Sequence, residues 1–118
     1  MNIKTAYIKT SKGTYPLVFT LNVMEEIQEK YGSLDEWYKM TSSGGDGASI
    51  KDIKFGVMAM INEAIDIENE EKGTNTPMVT DKLVGRIITE VGIEGLFKTM
   101  QDITIASTTE EDNTGKNE

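Results

Sequence analysis

The sequence contains no cysteine and no histidine. Disulfides, thiol nucleophiles, iron–sulfur clusters and the common zinc sites all require one of these two side chains. The imidazole general base, whose pKa lies closest to neutral pH, is missing as well. These two absences exclude most of the thiol, imidazole and transition-metal chemistry that small enzymes use.

Long apolar segments are also missing. No run of about 18 apolar residues occurs, so no stretch is long enough for a transmembrane helix. The segment Met1–Thr5 is polar and carries Lys4, which is not the pattern of a secretory signal peptide. We therefore expect a soluble intracellular protein.

Positive charge is scarce. The 12 Lys and Arg residues are outnumbered by 20 Asp and Glu residues, which gives a net charge of −8. Nucleic acids and anionic membranes are bound through Lys and Arg, so this sequence is a poor candidate for either partner. Its 118 residues are enough for one domain with a modest core. The apolar fraction of 37% predicts that part of the chain lies outside that core.

The apolar pattern changes once along the chain, from strand-like to helix-like. Residues 3–19 alternate as in a β-hairpin with its turn at Ser11–Gly13, and the glycines and serines of 41–49 predict a flexible loop. Apolar residues spaced three or four apart predict five helices, at about 21–31, 34–40, 50–71, 80–91 and 93–106. The polar segment 107–118 is expected to be disordered. The predicted fold is α+β, a hairpin on a bundle of four to five helices within one domain, 1–106.

Motifs for catalysis or metal binding are not found. The acidic run Asp66–Glu71 lacks the spacing of a calcium-binding loop and is better interpreted as a solvated helix end. The glycine-rich segments Gly44–Gly47 and Gly92–Gly95 are not followed by Lys-Ser or Lys-Thr, so neither is a phosphate-binding loop. We expect no enzymatic activity, no cofactor and no metal site.

Methionine is the one residue in excess, with seven copies. Methionines fill gaps in cores, and they also line surfaces that adapt to different helical partners. Met58 and Met60 are expected on different sides of the third helix, so the two interpretations both stay open. The second interpretation predicts an apolar partner-binding surface formed by Trp37, Tyr38, Phe55, Met58 and Met60.

The segment from Tyr15 to Trp37 resembles the opening of tail assembly chaperones from long-tailed, siphovirus-type bacteriophages and prophages of Gram-positive bacteria. A short β segment ends at the aromatic Phe19, and the next helix closes with the turn Glu29–Ser33. A flexible loop, further acidic helices and an acidic tail follow in the same order, so the resemblance spans most of the chain.

The resemblance implies a non-catalytic function. Such chaperones bind the long helical tape-measure protein in the cytoplasm of the bacterial host before the tail tube polymerises, and they are absent from the mature virion. Many copies would coat one tape-measure protein, so weak self-association is expected. The alternative is a small acidic phage adaptor or inhibitor that binds a basic face of a host or phage protein.

The resemblance also implies a longer product, made by a −1 ribosomal frameshift, that recruits tail tube subunits. Codons for Gly115, Lys116 and Asn117 can form a slippery heptamer. The segment 107–118 would then be an extended, acidic linker in the long form. The alternative is that these residues are simply typical of a polar tail.

Overall fold

Within the residues that the structure describes, an antiparallel hairpin is followed by five helices, which confirms the predicted α+β class. The computed structural model describes residues 3–42 and 49–116, with side chains for 3–41 and 49–104. The elements in chain order are β1 (Thr5–Thr10), β2 (Gly13–Val18), α1 (Leu21–Tyr31), α2 (Leu34–Ser42), α3 (Ile50–Lys72), α4 (Asp81–Val91) and α5 (Ile93–Lys116).

The hairpin places its apolar residues on one face. Ala6 lies opposite Leu17, and Ile8 lies opposite Tyr15, so these four side chains point to the same side of the sheet. Ile8 and Leu17 are buried. β2 packs against α3, whereas β1 packs against α4 and α5, and this sheet is therefore stabilised by helices rather than by further strands.

Hydroxyl side chains begin three of the described helices. Thr20, Ser49 and Thr80 each precede a helix, and their side-chain oxygens accept hydrogen bonds from backbone N–H groups in the first turn. Gly73 ends α3 in the left-handed conformation (φ 67°), which a residue without Cβ adopts at little cost.

The central element of the core is α3, which packs against β2, α1, α2 and α4. Its buried side chains recur at helical spacing, and the large ones belong to one hydrophobic cluster with buried residues of the hairpin and of the other four helices. The buried α3 residues are Ile53, Gly56, Val57, Met60, Ile61, Ala64 and Ile65. Within the described residues, no helix is both long and apolar enough to cross a membrane.

The helix boundaries agree with the prediction except at the end of α5. The predicted end is at about Ala106, but the backbone stays helical to Lys116. No proline or glycine occurs between Gly95 and Gly115, so nothing in this stretch interrupts the helix. Side chains after Thr104 lie outside the described residues, and the disorder predicted for 107–118 stays a prediction. Most of the predicted loop 41–49 also lies outside the described residues.

Candidate functional site

An open groove with a volume of about 390 Å³ lies between α1 and α3. Its lining combines four apolar side chains with four carboxylates and two amides. The lining residues are Asn22, Glu25 and Glu26 from α1, Phe55, Met58, Ala59, Asn62, Glu63 and Asp66 from α3, and Met78 from the α3–α4 connection. We call this site the α1–α3 groove.

The α3 side of the groove follows from helical periodicity. Phe55, Met58, Ala59, Asn62 and Asp66 are spaced three or four residues apart, so they form a stripe beside the one that faces the core. The stripe is apolar in its first half and polar in its second. From Phe55 to Asp66 it extends over 12 residues, and the 11 steps between them correspond to about 16 Å at ~1.5 Å per step.

The connection from α3 to α4 is fastened onto α3 by Asn62. The Asn62 side chain accepts a hydrogen bond from the Val79 backbone N–H at 2.8 Å and donates to the Val79 carbonyl at 3.2 Å. Asn69, two turns further along, bonds in a similar way to the Thr76 backbone. These bonds hold the intervening Met78 at the rim of the groove, where 45% of its surface is exposed.

Glu63 ties the start of α1 to α3. Its carboxylate accepts hydrogen bonds from the Thr20 hydroxyl at 2.8 Å and from the Asn22 side-chain amide at 3.1 Å. Because Thr20 is also the N-cap of α1, the same contact fixes where that helix begins relative to the groove. The two walls of the groove are therefore joined by side-chain hydrogen bonds.

An aromatic and charged cluster surrounds Phe55, at the apolar end of the groove. The Tyr31 ring meets Phe55 edge-on at a centroid distance of 5.8 Å, and the Lys30 ammonium lies 4.3 Å from the Phe55 ring centroid. The Tyr31 hydroxyl donates to Asp52 at 2.5 Å. That bond lowers the pKa of Asp52, while burial and the bond to Asp52 raise the pKa of Tyr31.

Two of the five predicted surface residues lie in the core, and the prediction is wrong for them. Trp37 is 1% exposed and Met60 is 0% exposed. The indole N–H of Trp37 donates to the Asp52 carbonyl at 3.2 Å, and its ring packs on Gly56, where the missing Cβ leaves room. Met60 lies on the stripe of α3 that faces the core, three residues after the fully buried Val57.

The other three predicted residues are half-buried, and the structure brings two of them together. Phe55 and Met58 lie side by side in the α1–α3 groove. Tyr38 lines a separate narrow cleft between α2 and α5, where its ring is tilted against Trp37 at 5.4 Å. Burial raises the pKa of Tyr38, although a hydrogen bond with Thr104 opposes that shift. The contrasting positions of Met58 and Met60 confirm that these methionines face different sides of α3.

Sequence reasoning missed the groove residues outside the apolar set, above all Met78, Asn62 and Glu63. The spacing of Asn62 and Asn69, seven residues apart, was a usable signal, since it places two amides on one face of α3. Nothing in the local sequence places Met78 near Phe55 and Met58, because that contact depends on how the connection folds back.

A second open cleft lies where the start of α3 meets α4 and α5. It has a volume of about 290 Å³, and its lining includes Ile50, Ile88 and Ile93. Its only charged lining residue is Lys54, which forms a salt bridge with Asp81 at 2.8 Å. Among the described residues, no group of three carboxylates is close enough to hold a metal ion.

Comparison with known protein families, with curated proteins and with solved structures gives no match for this chain. What the site does must therefore be argued from its own geometry and charge.

Proposed function

We propose that this protein is a non-catalytic tail assembly chaperone of a long-tailed bacteriophage or prophage, and that it binds the tape-measure protein during tail assembly. The resemblance of Tyr15–Trp37 to such chaperones suggests the family. The observation that supports a binding role is the α1–α3 groove, an open site lined by apolar side chains and carboxylates.

The physical argument begins with the proposed partner. A tape-measure protein is a long helical chain whose apolar stripes would aggregate if they stayed exposed. Phe55, Met58 and Met78 offer apolar surface to such a stripe. Methionine side chains adapt to irregular partners, which suits a chaperone that must cover many similar but unequal segments.

The acidic character of the protein fits the same role. Many copies with a net charge of −8 would give the coated tape-measure protein a large negative charge, which opposes association between complexes. We place this function in the cytoplasm of the bacterial host, with weak contacts between copies and with loss of the chaperone before the virion matures. A longer frameshifted form would bring tail tube subunits to the complex.

The second candidate function is an acidic adaptor or inhibitor that covers a basic face of a host or phage protein. The four carboxylates of the groove, Glu25, Glu26, Glu63 and Asp66, favour it. The two functions differ in the partner, because only a chaperone would bind along the whole tape-measure protein in many copies.

Co-expression with the tape-measure protein tests the proposal. The candidate partner is the product of a very long reading frame beside the gene, and gel filtration with light scattering gives the stoichiometry. We expect a complex with several copies of the chaperone. A tape-measure protein that elutes without this chain, while remaining soluble, would contradict the proposed function.

Paired methionine substitutions locate the binding site. Met58→Gln with Met78→Gln removes apolar surface from the groove, and Met40→Gln is the matched control. Met40 is 39% exposed, close to the 45% of Met78, but does not line the groove. We expect the groove variant to weaken binding about tenfold or more, which corresponds to ~1.4 kcal/mol, whereas Met40→Gln binds as the wild type does.

A further inference from the structure

We infer that the occupant of the α1–α3 groove is an amphipathic helix of about three turns whose apolar stripe is flanked by Lys and Arg. This inference rests on the proposed function, because it takes the groove as the binding site, and it specifies the chemistry of the segment bound there.

The first argument for this occupant is the charge of the groove lining. Glu25 and Glu26 line the groove from α1, while Glu63 and Asp66 line it from α3, and no lining residue is a cation. None of these four carboxylates takes part in an ion pair with another described residue. Like charges on facing walls repel one another, so a partner that brings cations between them is favoured over a neutral or acidic one.

The second argument is the length of the groove and the order of its lining residues. The apolar residues Phe55 and Met58 precede Glu63 and Asp66 on the α3 stripe, and the α1 side of the groove adds two further carboxylates. About 16 Å of α3 borders the groove, which matches three turns of a partner helix at ~5.4 Å per turn. A helix that lays an apolar stripe on Met58 therefore places its flanking positions near the carboxylates.

The ends of the groove differ, and this gives the bound helix a preferred placement. Lys30 lies over the Phe55 ring, so the Phe55 end already holds a cation. Glu63 and Asp66 lie at the opposite end of the α3 stripe. The Lys and Arg residues of the partner are therefore expected toward Asp66, and its bulkiest apolar residue toward Phe55.

Three synthetic helical peptides with the same apolar stripe test the inference on the intact protein. Their flanking positions carry Lys, Gln or Glu, and binding is measured by fluorescence anisotropy at low and high salt. We expect the Lys peptide to bind about tenfold more tightly than the Gln peptide at low salt. This advantage should shrink at about 1 M salt, where the Debye length is ~3 Å. Equal binding of the Lys and Gln peptides at low salt would overturn the inference.

Two triple variants with the same change in net charge distinguish the effect of the groove carboxylates from the effect of the net charge of the protein. Glu25→Gln, Glu26→Gln and Asp66→Asn neutralise three of the four groove carboxylates, while Glu70→Gln, Glu94→Gln and Asp102→Asn neutralise exposed acids that do not line it. Only the groove variant should lose the preference for the Lys peptide. An equal loss in both variants would show that net charge, rather than the groove, selects the partner.

The same variants keep this inference distinct from the proposed function. If the groove variant still binds the tape-measure protein with unchanged affinity, the charge inference fails and the chaperone proposal stands. If the Lys peptide binds but the tape-measure protein does not, the chaperone proposal fails and the charge inference stands. A second copy as the occupant would appear as a dimer in sedimentation that the groove variant abolishes, and that result would overturn the inference.

Discussion

At the scale of single residues, the contact between Trp37 and Gly56 joins α2 to the central helix. A Cβ at Gly56 would lie 2.9 Å from Cε2 of Trp37 and closer still to Cζ2. The indole is fully enclosed and cannot move aside without losing its hydrogen bond to the Asp52 carbonyl. We expect Gly56→Ala to lower the free energy of unfolding by about 1–3 kcal/mol, the usual cost of overpacking, measured by chemical denaturation.

Gly95→Ala is the matched control for that experiment. A Cβ at Gly95 meets nothing within 4 Å, and Gly95 also lies in a helix, α5. Alanine is the better helix former by about 0.5–1 kcal/mol, so this variant should be as stable as the wild type or more so. A Gly56→Ala protein as stable as Gly95→Ala would show that Trp37 does not pack as described.

The hydrogen bond between Tyr31 and Asp52 predicts a pH-dependent contribution to stability. Because the bond lowers the pKa of Asp52 in the folded state, its contribution is present above the unfolded pKa of about 3.9 and is lost as pH falls through the folded pKa. We expect Tyr31→Phe to cost about 1 kcal/mol at neutral pH and progressively less below the unfolded pKa.

Thermal or chemical unfolding of Tyr31→Phe across this pH range measures that effect. Tyr7→Phe is the control, because Tyr7 is an exposed tyrosine of the hairpin. We expect the difference in free energy of unfolding between wild type and variant to become smaller at acid pH for Tyr31→Phe, but not for Tyr7→Phe. If the difference in free energy of unfolding between wild type and Tyr31→Phe stays constant from neutral to acid pH, the hydrogen bond to the ionised Asp52 carboxylate does not stabilise the fold.

At the scale of the elements, α3 shows how far periodicity predicts the site. The two-residue spacing of Met58 and Met60 correctly predicted that these side chains face different sides of the helix. That spacing could not decide which of the two methionines faces the core. Met58 and Met60 lie about 200° apart on the helix, and either could be the buried one. Only the tertiary packing of the neighbouring elements on α3 decides that Met60 is enclosed and Met58 is not.

The α3–α4 connection is held on α3 by the Asn62 side chain, and removing that side chain tests its role. Asn62→Ala removes both side-chain hydrogen bonds to the backbone of Val79, a residue that is itself buried. An unpaired N–H in that position costs about 1–3 kcal/mol, and the freed connection no longer holds Met78 at the groove. We expect lower stability, faster hydrogen exchange of the Val79 amide and weaker partner binding.

Asn69→Ala is the comparison variant, because Asn69 bonds to exposed parts of the same connection, Thr74 and Thr76. Exposed backbone groups can bond to water instead, so this change should cost less than Asn62→Ala. If the two variants prove equally stable and bind the partner equally well, Asn62 does not position Met78.

At the scale of the whole molecule, the α+β class, the hairpin and the order of the five helices were predictable from the sequence. Strand-like alternation and helix-like spacing occupy different parts of the chain, and hydroxyl residues mark where α1, α3 and α4 begin. The groove was only half predictable. Phe55 and Met58 were identified by their position on α3, but Met78 and the α1 carboxylates join them through tertiary packing.

For the molecule as a whole, the main proposal is that the α1–α3 groove binds the tape-measure protein. Methyl NMR of the protein labelled at its seven methionines tests this claim most directly. On addition of the tape-measure protein to saturation, the account predicts that the methyl signals of Met58 and Met78 shift, while that of Met40 stays in place. Saturated binding that leaves Met58 and Met78 unshifted, or no binding at all, would contradict it.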